Sequence, residues 1–557
     1  MDLLHHYKQE LGRLRQATRQ YADAHPQTAA ALELGADVSS DPEVERLLQS
    51  VALLNASMQQ SIENGRSDFH KDLLQTLQPH YLRALPACGI IQVDTSAARP
   101  NETSTASRLP RGTILRSGTS KFATASDVCI APIAVASARF QPTIDLPSTL
   151  RLPVDATSSL GISLEATASS ATFDQPPTPT LRLWVDGEAR LRAGLLDAIL
   201  MQSRGVCLEA ESSWRVLPKS PFVFVGTSLA DVLLPRRPGQ QSMRLLTELF
   251  HMPQKFEFID LDLAVISAVC PPGCKRITLH IVLPACDPEL RQASAENFRL
   301  SCTPVINLFP QAAAPIRLDG RSESYPVAPS QPGCGIYSID KVSIMSSTGD
   351  RVLPPFHGTA HTGPGPYWQM DEREGTALAF VDRGQRTTRL ETGTIAVQLT
   401  CTNNELPQPG AGLTTETSAG GFPIRFMHGP ASSQRSSSPR ELCDSLYTTE
   451  TTLPALHKLL QLHGCRYIES LKRLSARPAT AWLEHPMGRL HMHGTEFTLL
   501  VDDMELRGHS IHVLGEILAA TLADTLRENR YAQLRIANGK GSILYLSAPR
   551  AGTHRLL

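Results

Sequence analysis

The residues best suited to chemistry are five histidines towards the carboxyl end of the chain: His485, His491, His493, His509 and His512. His491 and His493 are two residues apart, and a β-strand places such residues on one face, as in some metal sites. No carboxylate or cysteine stands at ligand spacing beside them. Because the chain holds 18 histidines, solvent-facing strand histidines are the simpler interpretation. We expect no metal and no other cofactor.

The motifs of common catalytic sites are missing or incomplete. No G-x-S-x-G nucleophile elbow occurs, and the nearest segment, residues 226–230, lacks the second glycine. The Gly-Lys-Gly at 539–541 falls between two short apolar segments, so it predicts a turn and not a phosphate-binding loop. Adjacent acids such as Asp502 and Asp503 would point to opposite faces of a strand. The sequence therefore predicts no catalytic residues, and we interpret the protein as a non-enzyme.

The cysteines indicate a reducing compartment. There are 11, an odd number spread from Cys88 to Cys465, and the spaced pair Cys270 and Cys274 has no second pair to complete a zinc site. The first residues lack the basic and apolar regions of a signal peptide, and the longest weakly polar segment, 128–138, is too short to span a bilayer. We expect free thiols in a cytoplasmic protein.

Length, charge and composition exclude other classes of protein. The chain has 557 residues, with 53 Lys and Arg against 54 Asp and Glu, and 41% of its residues are hydrophobic. The near-zero net charge argues against a surface built for nucleic acid or anionic membrane. The hydrophobic content excludes disorder throughout, and the length predicts several domains.

The first 85 residues have the apolar spacing of helices. A second helix is expected to begin at Asp41-Pro42 and to end at Asn64-Gly65, with a third helix after it. The apolar stripe of the second helix consists of Val44, Leu47, Leu48, Val51, Leu54, Met58 and Ile62. This stripe forms either a private three-helix core or an interaction surface that completes a bundle with other subunits.

Beyond residue 86 the pattern changes to short strands and turns. The alternation over 277–283 and the apolar run at 181–185, which is followed by Asp-Gly, are typical of strands. Near the end of the chain an amphipathic helix at 511–526 precedes a hairpin centred on the Asn-Gly-Lys-Gly at 538–541. Because helices and strands are largely segregated along the chain, the sequence predicts a multidomain α+β fold.

We predict five regions along the chain. They are a helical amino-terminal region at 1–85, a β-rich domain with inserted helices at 86–270, a second β-rich domain at 271–407, a Ser/Gly/Pro-rich linker or insertion at 408–450, and a mixed α/β carboxy-terminal domain at 451–557.

Ordered motifs along nearly the whole chain resemble the TssF family, whose members are baseplate subunits of bacterial type VI secretion systems. The opening YKQELGRLRQATRQYADAHP and residues 41–82 resemble the start of this family. LPRGT, LRLWVDGE and APRAG follow in order, and CTPVINLFPQAAAPIRLDGRSESYPV at 302–327 is the most specific stretch. Two features depart from the family: the serine-rich segment 408–450, and Leu546, which stands where a tryptophan is expected.

The resemblance implies a structural role without catalytic residues. Two TssF copies embrace one TssG and join TssE in a wedge, and TssK links wedges to the membrane complex. Wedges close around a hub of VgrG and Hcp, from which the sheath polymerises for contractile protein secretion. The family is similar to wedge proteins of contractile phage tails. The implied partners are therefore TssG, a second TssF copy, TssE, TssK, VgrG, Hcp and sheath proteins. Neither nucleic acid nor membrane insertion is implied, and the cytoplasmic protein is recruited to the inner-membrane-anchored apparatus.

Two other classes of function stay open at this point. A β-rich enzyme acting on carbohydrate or cell wall needs paired carboxylates that converge in a cleft. A carbohydrate- or metal-binding module would use the histidines named above. Both depend on side chains that only the folded chain can bring together.

Overall fold

A computed structural model gives the fold of the chain in ranges separated by short gaps. The described residues are 3–31, 41–77, 81–95, 106–147, 150–211, 213–235, 241–284, 287–345, 350–356, 365–371, 376–384, 386–390, 392–408, 411–415, 422–433, 439–446, 451–485, 488–527 and 529–552. Contacts divide the chain into two units. The helical unit comprises Met1–Arg83, His357–Thr362 and Ser436–Tyr447, and the β-rich unit comprises Ala84–Phe356, Gly363–Arg435 and Thr448–Leu557.

Within those ranges, α-helices occur from one end of the chain to the other. In chain order they are α1 Leu3–Ala24, α2 Pro26–Ala31, α3 Pro42–Leu77, α4 Ala189–Asp197, α5 Gln241–His251, α6 Leu263–Ser267, α7 Pro439–Leu446, α8 Leu453–Leu462 and α9 Ile511–Asp524. Local chemistry sets their ends. The Asp41 carboxylate accepts the main-chain N–H of Glu43 at 2.8 Å at the start of α3, and the Ser510 hydroxyl accepts the N–H of Val513 at 3.2 Å at the start of α9.

Helix α3 differs from the sequence prediction. The expected end at Asn64-Gly65 is wrong, because α3 continues as one helix to Leu77. A glycine inside a helix costs only about 1 kcal/mol relative to alanine, and packing beyond it offsets that cost. Leu74 is fully buried, and α7 lies against this part of α3, with Cys443 Sγ 3.7 Å from the carbonyl oxygen of His70.

The strands of the described ranges all lie in the β-rich unit. They are β1 Leu85–Val93, β2 Ser107–Leu109, β3 Ile114–Ser117, β4 Ser120–Thr124, β5 Val128–Ile130, β6 Ile133–Gln141, β7 Ser158–Ala166, β8 Thr180–Val185, β9 Gly205–Ala210, β10 Ser213–Val216, β11 Phe222–Phe224, β12 Phe258–Asp262, β13 Arg276–Leu283, β14 Phe298–Leu300, β15 Cys302–Ile306, β16 Phe309–Ala312, β17 Ile316–Leu318, β18 Ser324–Pro326, β19 Cys334–Met345, β20 Arg351–Leu353, β21 Tyr367–Asp371, β22 Ala377–Val381, β23 Gly393–Asn403, β24 Gly412–Thr415, β25 Ile424–Ser433, β26 Leu471–His485, β27 Gly488–Val501, β28 Tyr531–Asn538, β29 Ile543–Leu546 and β30 Arg550–Ala551.

These strands form a closed barrel and several open sheets. The barrel has the order β1-β15-β4-β3-β24-β25. Two open sheets have the orders β10-β9-β13-β7-β6 and β11-β12-β8-β14, and β16-β23-β19-β20 forms another, with β17 paired to β23. The sheet β26-β27-β28-β29, with β30 paired to β28, lies near the end of the chain, and β18-β22-β21 and β2-β5 are smaller.

The boundaries predicted inside the β-rich unit stay a prediction, and strand pairing bears on two of them. β13 follows the expected boundary at 270, yet it pairs with β7 and β9 from the other side. β24 and β25 come from the segment expected to be a linker or insertion, yet both are barrel strands. Its serine and glycine content concealed a short alternation in which Leu413, Ile424 and Phe426 face the interior of the barrel.

One continuous apolar core joins the two ends of the β-rich unit. The largest hydrophobic cluster contains Leu160, Leu183 and Ile281 together with Ile517 of α9 and Leu534 of β28. The amphipathic helix predicted at 511–526 is confirmed as α9, and the predicted hairpin is confirmed as β28 and β29. The mixed α+β fold is also confirmed, with helices at the amino terminus and many sheets after it.

Candidate interaction surfaces

Helices α1 and α3 form an antiparallel pair at the start of the chain. Arg15 of α1 lies beside Glu45 of α3, with Nη2 and Oε1 2.6 Å apart, while His6 lies beside Glu63, with Nε2 and Oε2 3.2 Å apart. The beginning of α1 therefore lies beside a later part of α3, and the middle of α1 lies beside the beginning of α3, so the two helices run in opposite directions. Small residues of α3 line this contact, since Ala52 and Ala56 are fully buried, and small residues let two helices approach closely.

The predicted stripe of α3 is not covered by the described part of the helical unit. Leu47 and Leu54 are each 65% exposed and Met58 is 64% exposed. Val51 and Ile62 are also exposed, whereas Val44 and Leu48 are half-buried. At 3.6 residues per turn, the exposed members lie on average about 140°, roughly two fifths of a turn, away from the buried alanines. The structure therefore places the stripe on a side of α3 turned away from the α1 contact and open to solvent.

The exposed stripe extends further than the sequence prediction. Phe69 lies two turns beyond Ile62 on the same side of α3 and is 63% exposed. From Leu47 to Phe69 the apolar face is about 33 Å long at a rise of about 1.5 Å per residue. The wrongly placed helix end at Asn64-Gly65 concealed this continuation. The pattern of four- and three-residue steps on either side of Gly65 was the signal that could have shown it.

A groove lies on the other flank of α3. Its volume is about 640 Å³, and its lining residues are Leu3, Leu4 and Tyr7 of α1 and Arg46, Gln49, Ser50 and Leu53 of α3. Leu4 is 54% exposed and Leu53 is 48% exposed. The helical unit therefore presents apolar surface on two separate sides of α3.

The helical unit has little interior of its own. The four hydrophobic clusters found among the described residues contain no residue of this unit. Helices of globular proteins usually gain their stability by burying an apolar face. Here the buried apolar residues are few and mostly small, whereas the large ones lie outside. This imbalance is what distinguishes the unit from the β-rich one.

The structure separates His491 and His493 from His509 and His512, and the side chain of His485 lies outside the described part of the chain. His491 and His493 share one face of β27, as predicted, with ring centroids 6.0 Å apart, and Trp482 lies 5.1 Å from His491. His509 instead stacks on Tyr467, with ring centroids 4.1 Å apart, and its burial lowers its pKa. No group of three or more His, Cys, Asp or Glu side chains that could hold a metal ion occurs among the described residues.

His512 belongs to a grouping with Asp197 and Ser510 that resembles a hydrolase triad in composition only. The Ser510 hydroxyl donates to the Asp197 carboxylate at 2.5 Å, and the main-chain N–H groups of Ile511 and His512 donate to it at 3.0 and 3.1 Å. Burial raises the pKa of Asp197 to about 6, against these hydrogen bonds. Neither imidazole nitrogen of His512 has a hydrogen-bond partner among the described residues. The hydrogen bonds of the Asp197 carboxylate go to the start of α9, which they anchor.

A buried ionic network in the β-rich unit was missed by sequence reasoning. Glu248 of α5 is fully buried and contacts the buried cations Arg244, at 2.8 Å, and Lys255. Its Oε1 also accepts the main-chain N–H groups of Leu233 and Leu234 at 3.2 and 2.9 Å. Burial lowers the pKa of Lys255, and Glu248 opposes that shift. The signal in the sequence was a Glu four residues after an Arg in a helix that also carries leucines at 245, 246 and 249.

The described residues contain no helix that is both long enough and apolar enough to cross a membrane.

Comparison with known proteins decides the family. The family model for TssF of the type VI secretion system matches residues 1–554. The chain belongs to the TssF family. A curated TssF relative, the type VI secretion system component TssF1 of Pseudomonas aeruginosa, is 27% identical over an alignment of 603 positions that covers 97% of each chain. The resemblance noted in the motifs is thereby confirmed.

Two solved structures share the fold of this TssF-family chain. One is a chain of a TssK-TssF-TssG baseplate subcomplex determined by cryo-electron microscopy, with a TM-score of 0.71, 20% identity, and coverage of 92% of this chain and 99% of that one. The other belongs to a baseplate complex from the type VI secretion system, with a TM-score of 0.53, 17% identity and full coverage of both chains.

Proposed function

We propose that this chain is a structural subunit of a type VI secretion baseplate wedge, and that the helical unit joins it to its partners. The family assignment supports a structural rather than an enzymatic role. The observation that carries the interface is the exposed stripe of α3 in a unit whose described residues form no hydrophobic cluster of their own. Contiguous exposed apolar surface of this kind marks protein–protein contacts.

The apolar stripe offers enough contact for a stable helical interface. Val44, Leu47, Leu48, Val51, Leu54, Met58 and Ile62 lie on it, and five of them are exposed. Full burial of one such side chain contributes about 1.5–3 kcal/mol. A partner helix laid along α3 would contact residues at three- and four-residue steps, which is the recognition mode of helical bundles.

The two apolar sides of α3 fit two partners. The solved relative is a TssK-TssF-TssG subcomplex, and this supports TssG and TssK as partners of the present chain. We assign the stripe and the groove to a bundle with TssG and with a second TssF copy, because one partner helix cannot cover both flanks of α3. TssE, the VgrG/Hcp hub and the sheath belong to the same proposal, as does recruitment of the cytoplasmic chain to the membrane-anchored apparatus.

The test is co-purification with TssG after Leu54→Asp. Leu54 is 65% exposed, so the isolated variant should fold and unfold like the parent chain. In the complex the new carboxylate would lie in an apolar interface, and we expect a loss of about 2 kcal/mol or more, at least about thirtyfold in affinity. Thermal unfolding of the isolated chain and pull-down with tagged TssG measure the two effects.

Matched variants separate the stripe from its surroundings. Val154→Asp places the same charge at a fully exposed position in the β-rich unit and should leave binding unchanged. Leu53→Asp reports on the groove in the same assay. A folded Leu54→Asp variant that retains TssG as well as Val154→Asp does would contradict the shared bundle.

A further inference from the structure

A second apolar groove lies in the β-rich unit and has no part in the helical interface. One wall is the loop at 229–235, and the opposite wall is the segment 306–310, where β15 ends and β16 begins. Its volume is about 390 Å³, and Arg111 and Thr400 complete the lining. The second wall falls within the stretch 302–327, the most specific part of the family resemblance. Cavities of this size accommodate one or two apolar side chains of a ligand.

Charged side chains hold almost every residue of the loop wall. Arg111 donates to the carbonyl oxygen of Ala230 at 2.8 Å and to that of Val232 at 2.7 Å. Asp231 accepts from Arg182 at 2.9 Å and from the Ser228 hydroxyl at 2.6 Å.

Beyond Val232, the carboxylate of the fully buried Glu248 accepts hydrogen bonds from the main-chain N–H groups of Leu233 and Leu234. Arg111, Arg182 and Glu248, from separate parts of the chain, therefore all bond to one short loop. The regular structure of this loop is a single turn at Leu229–Asp231.

This anchoring makes the groove a preformed site. Ordering a loop costs conformational entropy, about 1–2 kcal/mol per residue. Here the intramolecular hydrogen bonds already order the loop before any ligand binds. A ligand that enters the groove does not have to order the wall, which favours binding. The loop also keeps an apolar side chain outside the core, since Leu229 is 48% exposed. An exposed leucine on a fixed loop beside an apolar groove is the arrangement of a binding site.

The charges around the groove select the ligand. The Arg111 guanidinium contacts main-chain carbonyl oxygens rather than a carboxylate. Lys121 lies over the ring of Phe309, a wall residue, at 5.0 Å from its centroid, and its ammonium donates to the Gln331 side chain at 3.0 Å. The nearby carboxylate of Asp127 is paired with Arg108 and also accepts the main-chain N–H of Arg111 at 2.8 Å.

On the other side, the Asp340 carboxylate accepts from the hydroxyls of Ser338 and Thr400, each at 2.7 Å. Among the described residues, neither the Arg111 guanidinium nor the Lys121 ammonium forms an ion pair with a carboxylate, so this side of the groove carries positive charge opposite Asp340.

We propose that this groove binds an acidic, leucine-bearing segment of a protein partner. Aliphatic side chains of the segment enter between the two walls and contact Leu229 and Phe309. Carboxylates beside them approach Arg111 and Lys121, where they form charge-assisted hydrogen bonds. The proposal concerns a surface of the β-rich unit and does not depend on the assignment of the α3 stripe.

The test uses the full chain and a labelled peptide, acetyl-Glu-Glu-Leu-Leu-Glu-Glu-amide, in a fluorescence anisotropy titration. The comparison peptides are acetyl-Lys-Lys-Leu-Leu-Lys-Lys-amide, which reverses the charge, and acetyl-Glu-Glu-Ser-Ser-Glu-Glu-amide, which removes the leucines. We expect saturable binding of the first peptide, at least about tenfold tighter than either comparison, a difference of about 1.4 kcal/mol. Binding should weaken with added salt, because the ion pairs lie at the surface.

Variants tie the binding to the groove. Leu229→Glu puts a carboxylate at its edge and should weaken the acidic peptide about tenfold or more. Lys121→Gln removes one charge and should weaken it by up to about fivefold and reduce the salt dependence. Val223→Glu makes the same kind of change at an exposed residue of β11 that does not line the groove, and it should have no effect.

Three results would each overturn the proposal. They are no saturable binding at up to about 1 mM, equal binding of the three peptides, and an unchanged affinity in both Leu229→Glu and Lys121→Gln. None of them bears on Leu54 or TssG, so failure here is distinct from failure of the helical interface.

Discussion

Replacing Glu248 with Gln tests how far the buried network stabilises the β-rich unit. The substitution keeps the shape of the side chain and removes its charge. The network is fully internal, with Glu248 at 0%, Lys255 at 2% and Arg244 at 8% side-chain exposure. Two cations then lose their only partner in the network, and the new amide presents N–H groups towards one of the donors. Breaking a buried pair by removing one member costs about 3–5 kcal/mol.

Urea denaturation followed by tryptophan fluorescence would measure this loss of free energy of unfolding. Glu289→Gln is the matched control. The Glu289 carboxylate is 34% exposed and lies as far as 4.0 Å from the Arg190 guanidinium, and an exposed pair of this kind contributes at most about 1 kcal/mol to stability. A Glu248→Gln variant that loses less than the control would refute the reasoning.

The charge of Lys255 gives an independent check. Glu248 is the main group that opposes the effect of burial, with a smaller contribution from Asp231, so without it the pKa of Lys255 falls further below its unfolded value. The unfolded state then binds more protons, and the stability of the variant rises with pH. Lys255→Met in the Glu248→Gln background should recover part of the lost stability, because it removes the uncompensated charge. A double variant that is less stable than Glu248→Gln would show that packing, not charge, dominates here.

Two further predictions concern α9 and its surroundings. Burial raises the pKa of Asp197 to about 6. Its contribution to the free energy of unfolding is therefore full below pH about 4 and is lost as pH rises through about 6. Asp197→Asn should remove this change in stability with pH, up to about 3 kcal/mol, in unfolding curves measured across that range. Gly515→Ala should cost about 1–3 kcal/mol in thermal unfolding, because a Cβ there would clash with the ring of Tyr545. Gly12→Ala on α1, where a Cβ would meet no atom within 4 Å, should instead be neutral or stabilising by up to about 1 kcal/mol.

Local patterns predicted local structure well. The Asn-Gly-Lys-Gly at 538–541 predicted the turn of the β28–β29 hairpin because its residue types favour the required dihedral angles. The Ser510 cap and the apolar spacing after it predicted α9 to within two residues. Both depend on interactions between residues close in sequence, which a periodicity can report.

Distant pairing could not be predicted in this way. β1 pairs with β15 and with β25, and nothing in the residues of one strand indicates which remote strand will lie beside it. The end predicted for α3 was wrong for a related reason: the helix passes Gly65 because Leu74 and Cys443 pack beyond it, a tertiary effect that overrides local propensity.

The candidate surfaces show the same division. The apolar spacing of the α3 stripe was visible in the sequence, but its exposure was not. An amphipathic helix has the same apolar spacing whether its partner lies in the same chain or in another. The groove at 229–235 and 306–310 was invisible, since its two walls lie some 70 residues apart and belong to one hydrophobic cluster through Leu233, Leu234, Ile306 and Leu308.

The closed barrel has a consequence for synthesis of the chain on the ribosome. Its first strand ends at Val93, but the strand that seals it, β25, ends at Ser433. At about 5–20 residues per second, roughly 20 to 70 s pass between the emergence of these two strands. Throughout that interval β1, nearly all of whose residues are buried in the finished barrel, has one edge without its neighbour. A nascent chain stalled before residue 424 should therefore be a good substrate for cellular chaperones that recognise exposed apolar strands.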